Sequence, residues 1–351
     1  MSDGFIGYQG LDAKSVEGNL VKGEFTPKTW TEDDIDIDIS HCGMCASDLH
    51  TLRSGWGETL YPVIVGHEII GTVVKKGANV KHLELGDRVG VGAQCYSCLE
   101  ADCPDCSTAN EQYCAKGVFT YNSKFEDGSV SYGGYALKGR YPASFAFKIP
   151  EALPSAIAAP MMCGGITVYS PLKRNGCGPG KTVGIVGIGG LGHFAVLYAK
   201  ALGAEKVYGI SRNRNKEADV KSMGGEGVIA TSEEGWSAAN KRKFDLILST
   251  NNDHKMPLTE YLGMLKPSGR FVQVGLPEAP LPQFSFGPLI MSNASVTGSL
   301  LGSREEIEEM LSLSATQGVK TWITSYPMSE VNDVLKKMEN NEARYRFVLE
   351  N

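Results

Sequence analysis

The segment that most constrains the fold runs from Thr182 to Leu202. A short apolar run, Thr182-Val183-Gly184-Ile185-Val186, leads directly into Gly187-Ile188-Gly189-Gly190-Leu191-Gly192, and an amphipathic stretch follows from Leu191 to Leu202. Read as strand, tight turn and helix, this unit needs a parallel sheet to belong to. Further apolar runs at Lys206 to Ile210, Phe244 to Leu248 and Arg270 to Val274, spaced by helical stretches, supply one. Strands alternating with helices predict a doubly wound α/β sheet. Glycine-rich turns are common, and a bare G-x-G-x-x-G match decides nothing. The strand before it and the helix after it favour a dinucleotide site instead. Gly187 then makes the turn, Gly189 admits a pyrophosphate, and Gly192 allows close helix–strand packing, with phosphate over the helix N-terminus beside Gly190 and Leu191.

The chain before this unit has a different character. Ile35-Asp36-Ile37-Asp38-Ile39 has period two and reads as a half-buried strand. Val63-Ile64-Val65, Ile69-Ile70 and Thr72-Val73-Val74 read as more strands, punctuated by Gly66, Gly71 and Gly77, and Leu85-Gly86-Asp87 turns into another at Arg88-Val89. Residues 30 to 90 are therefore expected to be all-β. A helical signal begins at Ser155, with serine as its cap. Beyond residue 300 come a charged helix from Glu305 to Leu313, the run Thr321 to Thr324, a further helix, and a final strand at Arg346 to Leu349. These last pieces can return to the first domain. The division predicted is residues 1–155 completed by 301–351, and 156–300. A chain of 351 residues is long enough for two cores.

The end of the second strand of the sheet indicates which dinucleotide. An NAD site places Asp or Glu there to accept from the ribose hydroxyls. This chain has Ser211-Arg212-Asn213-Arg214-Asn215-Lys216. No carboxylate repels a 2′-phosphate, Arg212 and Lys216 attract one, and Ser211 offers a hydroxyl. The plainer alternative is a solvated basic loop. The expectation is NADP(H).

Cysteines carry the remaining signal. Cys98-x4-Cys103-x2-Cys106-x7-Cys114 packs four thiols into one short loop. Four thiolates close a tetrahedral Zn²⁺ and leave no position for substrate, so such a site is structural. Cys95 lies just outside it. Cys45, His67-Glu68 and Cys163 are scattered, and spacing alone does not make them a site. Two thiolates and one imidazole around Zn²⁺ would leave one position open for a carbonyl or alcohol oxygen.

At this point a family becomes recognisable. Gly43-Met44-Cys45-Ala46-Ser47-Asp48-Leu49-His50, Gly66-His67-Glu68, Cys163-Gly164-Gly165-Ile166-Thr167-Val168-Tyr169-Ser170-Pro171 and the glycine fingerprint occur in that order. Together they resemble zinc-dependent medium-chain alcohol dehydrogenases, and most of all the cinnamyl alcohol dehydrogenase-type branch with its NADP-dependent fungal members. The resemblance covers essentially the whole chain. It implies a GroES-like β domain (1–155 with 301–351), a Rossmann domain (156–300), a cleft between them and a homodimer. It also implies two zinc ions per chain and reduction of aldehydes to primary alcohols by NADPH, reversibly. The first two structural cysteines are separated by four residues here, against two in the family.

By position, the resemblance makes Cys45, His67 and Cys163 the catalytic zinc ligands, with Glu68 as a neighbouring carboxylate able to approach the metal. Cys42 becomes a buried structural thiol. Ser47 and His50 match the family's proton relay, His50 being the terminal acid–base, although a surface histidine without a role is the plainer reading. Asp48 is expected to orient His67. Thr167 and the Gly298-Ser299-Leu300-Leu301-Gly302-Ser303 loop match elements near nicotinamide, and Arg344 and Arg346 are candidates for the cofactor phosphates. Trp56 and Tyr121 are candidates for a substrate wall or for ordinary core. His41, His82, His193 and His254 are given no role. A specialised carbonyl or iminium reductase on the same scaffold is the alternative enzyme. A non-catalytic NADPH-binding protein is disfavoured by the presence of the three ligands with Ser47 and His50.

Composition excludes other classes. A net charge of -6 argues against a nucleic-acid partner. The N-terminal stretch lacks the basic and apolar segments of a signal peptide. The apolar stretch from Val183 to Ala204 is too interrupted by glycine to span a membrane. A cytoplasmic enzyme is expected.

Overall fold

The computed structural model describes residues 4–280 and 283–351. The chain forms two units, one made of the chain up to Gly164 together with Ser303–Asn351, the other of Gly165–Gly302. The first unit extends past the helical signal at Ser155. The short helices Ser155–Ala158 and Ala159–Met162 pack on its own sheet, through the strands Asp34–Gly43 and Glu68–Lys76, and so deliver Cys163 to that unit.

The first unit is built on a seven-stranded sheet. Its central strands are Asp34–Gly43 and Glu68–Lys76, paired antiparallel. Arg88–Val91 and Ala146–Lys148 extend it on one side, and Lys138–Pro142 pairs with Asp34–Asp38. On the other side the C-terminal strand Arg346–Glu350 pairs antiparallel with residues 41–43, and Ile323–Pro327 then joins it in parallel. Ile35, Ile37 and Ile39 point into the core, as period two requires. The intervening carboxylates do not all face water. Asp34 is buried against Lys28 Nζ at 2.5 Å, Asp36 holds Arg140 in a two-pronged pair at 2.7 and 3.1 Å, and only Asp38 is exposed.

Two expectations for this region need correction. Val63-Ile64-Val65 is fully buried but is no regular strand: Val63 bridges Gly10, and the carbonyls of Ile64, Val65 and Gly66 accept from Gly133, Tyr135 and Gly134 at 2.7, 3.0 and 2.7 Å. Gly66 then turns the chain at φ +95°. The region is not all-β either, since Ala46–Leu52 is an α-helix. Its first-turn carboxylate, Asp48, reaches back to the backbone N–H of Cys45 at 2.8 Å and nucleates the helix.

The second unit is a six-stranded, all-parallel sheet. Across it run Gly227–Ala230, Lys206–Ser211, Thr182–Val186, Phe244–Ser249, Leu265–Gln273 and Ser295–Gly298. Numbered within the unit this is the order 3-2-1-4-5-6, the doubly wound arrangement whose switch point lies between Thr182–Val186 and Phe244–Ser249. The helix Gly192–Ala201 buries Phe194, Ala195, Val196 and Tyr198 against the strands on either side of its entry. Among the described residues, no helix is long and apolar enough to cross a membrane.

Candidate active site

Three segments of the first unit converge on one point. Cys45 sits in extended backbone between the strand Asp34–Gly43 and the helix Ala46–Leu52. His67 and Glu68 open the strand Glu68–Lys76, and Cys163 ends the turn Ala159–Met162. One donor atom from each of Cys45, His67, Glu68 and Cys163 lies within 4.8 Å of every other, and all four residues are buried.

The electrostatics of this cluster call for a cation. The hydrogen bond from Cys163 holds the Cys45 thiol well below its ordinary range, with burial opposing and His67 assisting. The Cys163 thiol is correspondingly pushed well up, first by that same contact and then by burial. Burial would lower His67, but the Cys45 sulfur and the Asp48 charge outweigh it and bring the imidazole to about 9. Its Nε2 is buried with no hydrogen-bond partner. Two converging sulfurs and an imidazole nitrogen without a hydrogen-bond partner form the donor set of an open tetrahedral zinc site, and the residues fit that ion.

Glu68 behaves differently from the other three. It has no solvent exposure, and burial raises its pKa while Arg346 opposes the rise. Arg346 Nη2 donates to Glu68 Oε1 in a very short buried ion pair, and the Gly164 N–H approaches the same oxygen at 3.3 Å. Glu68 Oε2 has no hydrogen-bond partner. Arg346 is therefore not directed at cofactor phosphates as expected. It lies in the strand Arg346–Glu350 with 3% exposure, and its charge is spent on the carboxylate beside the ligands. Sequence distance hid this pair, although an arginine opening a strand that returns to the first sheet was the available signal.

Asp48 also acts otherwise than expected. Its hydrogen bonds go to backbone, from Cys45 N at 2.8 Å and Gly66 N at 3.1 Å, and to the Tyr135 hydroxyl at 2.9 Å. It reaches the imidazole of His67 only through charge. Tyr121, a candidate for a substrate wall, stacks flat on the His67 ring with centroids 5.2 Å apart and an interplanar angle of 10°. Ser47 Oγ lies 3.5 Å from Cys45 Sγ. His50, one helical turn on, shares its face and stacks on Trp56 at 4.5 Å.

A second cluster joins Cys98, Cys103, Cys106 and Cys114. Sulfur–sulfur distances of 3.7 Å (Cys98–Cys106), 4.0 Å (Cys103–Cys114) and 3.5 Å (Cys98–Cys114) bracket the roughly 3.8 Å edge of a tetrahedron whose Zn–S bonds are about 2.3 Å. Within the wider spacing between the first two cysteines, Leu99 adopts φ +52°. Cys95 stays outside the cluster: its thiol is buried, points at the carbonyls of Val118 and Phe119, and is pushed up to about 12 by burial. Cys42 is likewise a buried thiol, against the Gly43 carbonyl.

In the second unit the three glycines of the turn differ in conformation and surroundings. Gly187 turns the chain at φ +83°. A Cβ at Gly192 would run into the Gly187 carbonyl oxygen, whereas one at Gly189 would meet nothing within 4 Å. Gly190 and Leu191 stand half-exposed at the helix entry. Ser211 ends its strand, half-buried, and Arg212 is exposed just beyond it. Lys216 folds back so that Nζ donates to the Ile188 carbonyl at 2.5 Å, inside the glycine turn. Arg214, the third cation, is occupied by Glu233 and Glu217. Thr167 lies half-buried on the helix Gly164–Arg174, and the Ser299 N–H donates to the Gln273 carbonyl at 3.2 Å at the sheet edge.

Comparison with known proteins agrees with this geometry. Residues 31–151 match the alcohol dehydrogenase GroES-like domain, and residues 190–316 match the zinc-binding dehydrogenase domain. An NADP-dependent alcohol dehydrogenase of Saccharomyces cerevisiae is 44% identical over 97% of this chain and 96% of its own. The structure of a cinnamyl alcohol dehydrogenase from Sorghum bicolor superposes with a TM-score of 0.92 at 34% identity, covering 99% of this chain and 97% of the other. That of a cinnamyl alcohol dehydrogenase from Helicobacter pylori, complexed with NADP(H), gives 0.90 at 33% identity over 100% and 99%. Matched over both of its units and nearly its whole length, the chain belongs to the zinc-dependent, NADP-linked alcohol dehydrogenases of the medium-chain dehydrogenase family.

Proposed function

We propose that this enzyme reduces aldehydes to primary alcohols with NADPH, and runs the reverse oxidation, using the Cys45, His67 and Cys163 centre. The observation that carries the reading is the buried cluster of Cys45, His67 and Cys163, with Glu68 beside them, whose His67 Nε2 has no hydrogen-bond partner among the described residues. When bound, zinc supplies Lewis acidity toward a carbonyl oxygen and NADPH supplies hydride. The protein's own groups do the rest. Cys45, His67 and Cys163 would hold the ion within reach of substrate, and the two thiolates would balance its charge. Arg346 holds the Glu68 carboxylate in place beside the ligands. Ser47 takes up the hydrogen-bonding position next to substrate oxygen, and His50 on the same helix face exchanges the proton with solvent. Gly187, Gly189 and Gly192 shape the pyrophosphate seat with Gly190 and Leu191. Ser211, Arg212 and Lys216 receive the 2′-phosphate, and Thr167 and Ser299 bear on the nicotinamide end.

Cys98, Cys103, Cys106 and Cys114 hold a second, structural zinc. Substrates are small aldehydes and alcohols, the cinnamyl type included, and the enzyme works in the cytosol as a homodimer. The edge strand Ser295–Gly298 supports the dimer, being exposed along its length, Val296 included, with Ile290 and Met291 of the preceding helix also in solvent. An NADPH-oxidation screen over aliphatic, branched and cinnamyl aldehydes tests the reading. Turnover of several aldehydes is expected. Inactivity across the panel, in protein holding both zinc and cofactor, would overturn it.

A further inference from the structure

Asp48 is 1% exposed, and a carboxylate so placed stays ionised only if donors replace its water. It has three. Oδ2 accepts from the Cys45 N–H and the Tyr135 hydroxyl, and Oδ1 from the Gly66 N–H. Two of these donors belong to the backbone at a metal-binding residue or immediately before one, since Gly66 precedes His67. One carboxylate therefore ties the Cys45 segment to the His67 segment, and the side-chain donor at hydrogen-bond distance in the tie is Tyr135, with the Tyr121 hydroxyl also facing the same carboxylate.

Tyr135 is placed for this and is fixed on every side. It has no solvent exposure, and its ring lies so close to Gly66 that a Cβ there would come within 2.5 Å of Tyr135 Cδ1. Its N–H bonds the Val65 carbonyl at 3.0 Å, and that of Gly134 bonds Gly66 at 2.7 Å. The loop bearing the hydroxyl is thus docked on the back of the His67 segment. Tyr141 makes a contrast. It is equally buried, but its hydroxyl meets only the Tyr132 carbonyl, at 3.3 Å.

We propose that Tyr135 is a positioning residue for the catalytic metal: its hydroxyl fixes the Asp48 carboxylate, which fixes the spacing of Cys45 and His67. The inference rests on the reading of Cys45, His67 and Cys163 as zinc ligands. Partners one shell out from a metal set the geometry its ligands can hold, and losing one typically weakens binding about 10- to 100-fold. Phenylalanine at position 135 keeps the ring packed on Gly66 and removes only the donor.

The test is zinc competition against a chelator of known affinity in full-length wild type, Tyr135→Phe and Tyr141→Phe. It is joined by the visible spectrum of each protein after cobalt(II) exchange at the catalytic site. In Tyr135→Phe the catalytic zinc should dissociate about 10- to 100-fold more readily, and the thiolate-to-cobalt band should shift. The four-cysteine site should hold its zinc as before, and Tyr141→Phe should leave both sites unchanged. In an Asp48→Asn background the same Tyr135→Phe change should add far less, because the two groups act through one bond. Wild-type affinity and spectrum in Tyr135→Phe would overturn the proposal, as would equal weakening of both metals or equal effects from Tyr141→Phe. A wild type that binds only the four-cysteine zinc would instead sink the ligand reading itself.

Discussion

On the function proposed, cofactor choice comes down to a few atoms past the strand Lys206–Ser211. Arg212 is exposed there while Arg214 is held by two glutamates, so the two arginines have different tasks although they stand two residues apart. Hydrogen bonds to charged groups contribute roughly 1.5–3 kcal/mol. Arg212→Ala should therefore cut kcat/KM with NADPH about tenfold to a hundredfold and leave NADH kinetics nearly unchanged; equal losses with both cofactors would make Arg212 a support of the fold. Ser211→Asp should go further, since it repels the phosphate and offers an acceptor to a free ribose hydroxyl. Arg214→Ala should not discriminate between the cofactors. His50→Ala should lower turnover and alter its pH dependence with zinc content unchanged, and an unaltered pH–rate profile would remove His50 from the proton path. At this scale the sequence was legible for residue types that announce their chemistry, such as cysteine, histidine and the basic loop. It pointed Arg346 at the cofactor phosphates and was silent on Tyr135, because arginine and tyrosine have many ordinary uses. Only their burial against Glu68 and Asp48 assigns them one.

Elements were legible where the pattern had a single cause. The glycine turn between Val186 and Gly192 follows from the backbone alone, and it separates two substitutions that look alike. Gly189→Ala adds a methyl that meets no protein atom, so thermal stability should stay close to wild type while KM for NADPH rises tenfold or more. Gly192→Ala drives its methyl into the Gly187 carbonyl and should destabilise the unit itself. Thermal melts paired with cofactor titration check both, and a Gly189→Ala enzyme with unchanged NADPH affinity would contradict the assigned phosphate approach. The strand Asp34–Gly43 was legible from its isoleucines, but not the burial of Asp34 and Asp36, which depends on Lys28 and Arg140 arriving from distant segments. Val63-Ile64-Val65 misled for a related reason. A run buried on all sides has the composition of a central strand, yet its backbone partners are the loop at 133–135. The helix Ala46–Leu52 was hidden among strands because it is short and its cap is a cysteine.

The first unit gathers one cluster of metal-ligating side chains from chain positions as far apart as Cys45 and Cys163, with Arg346 arriving from the C-terminal strand. The discontinuous first unit was readable from the strand signal at the C-terminus. The partners of that strand were not, because pairing register is a tertiary property. Zinc binding at the four-cysteine cluster would expel thiol protons: a backbone N–H at Glu100 lowers the Cys98 thiol, but burial and the sulfurs of Cys114, Cys103 and Cys106 together push it up to about 12, while Cys103 is lowered to about 7. Zinc retention should accordingly weaken as pH falls, and metal analysis after dialysis across a pH series measures it. Retention independent of pH would argue against a thiolate site. The central claim is that NADPH reduces an aldehyde at the centre formed by Cys45, His67 and Cys163. It is tested most directly by measuring zinc content and NADPH-dependent aldehyde turnover together in wild type and Cys163→Ala. Two zinc ions and turnover in the wild type, against one zinc ion, nearly no turnover and an intact fold in the variant, is the result expected. Undiminished turnover in Cys163→Ala, or an active wild type with a single zinc, would contradict it.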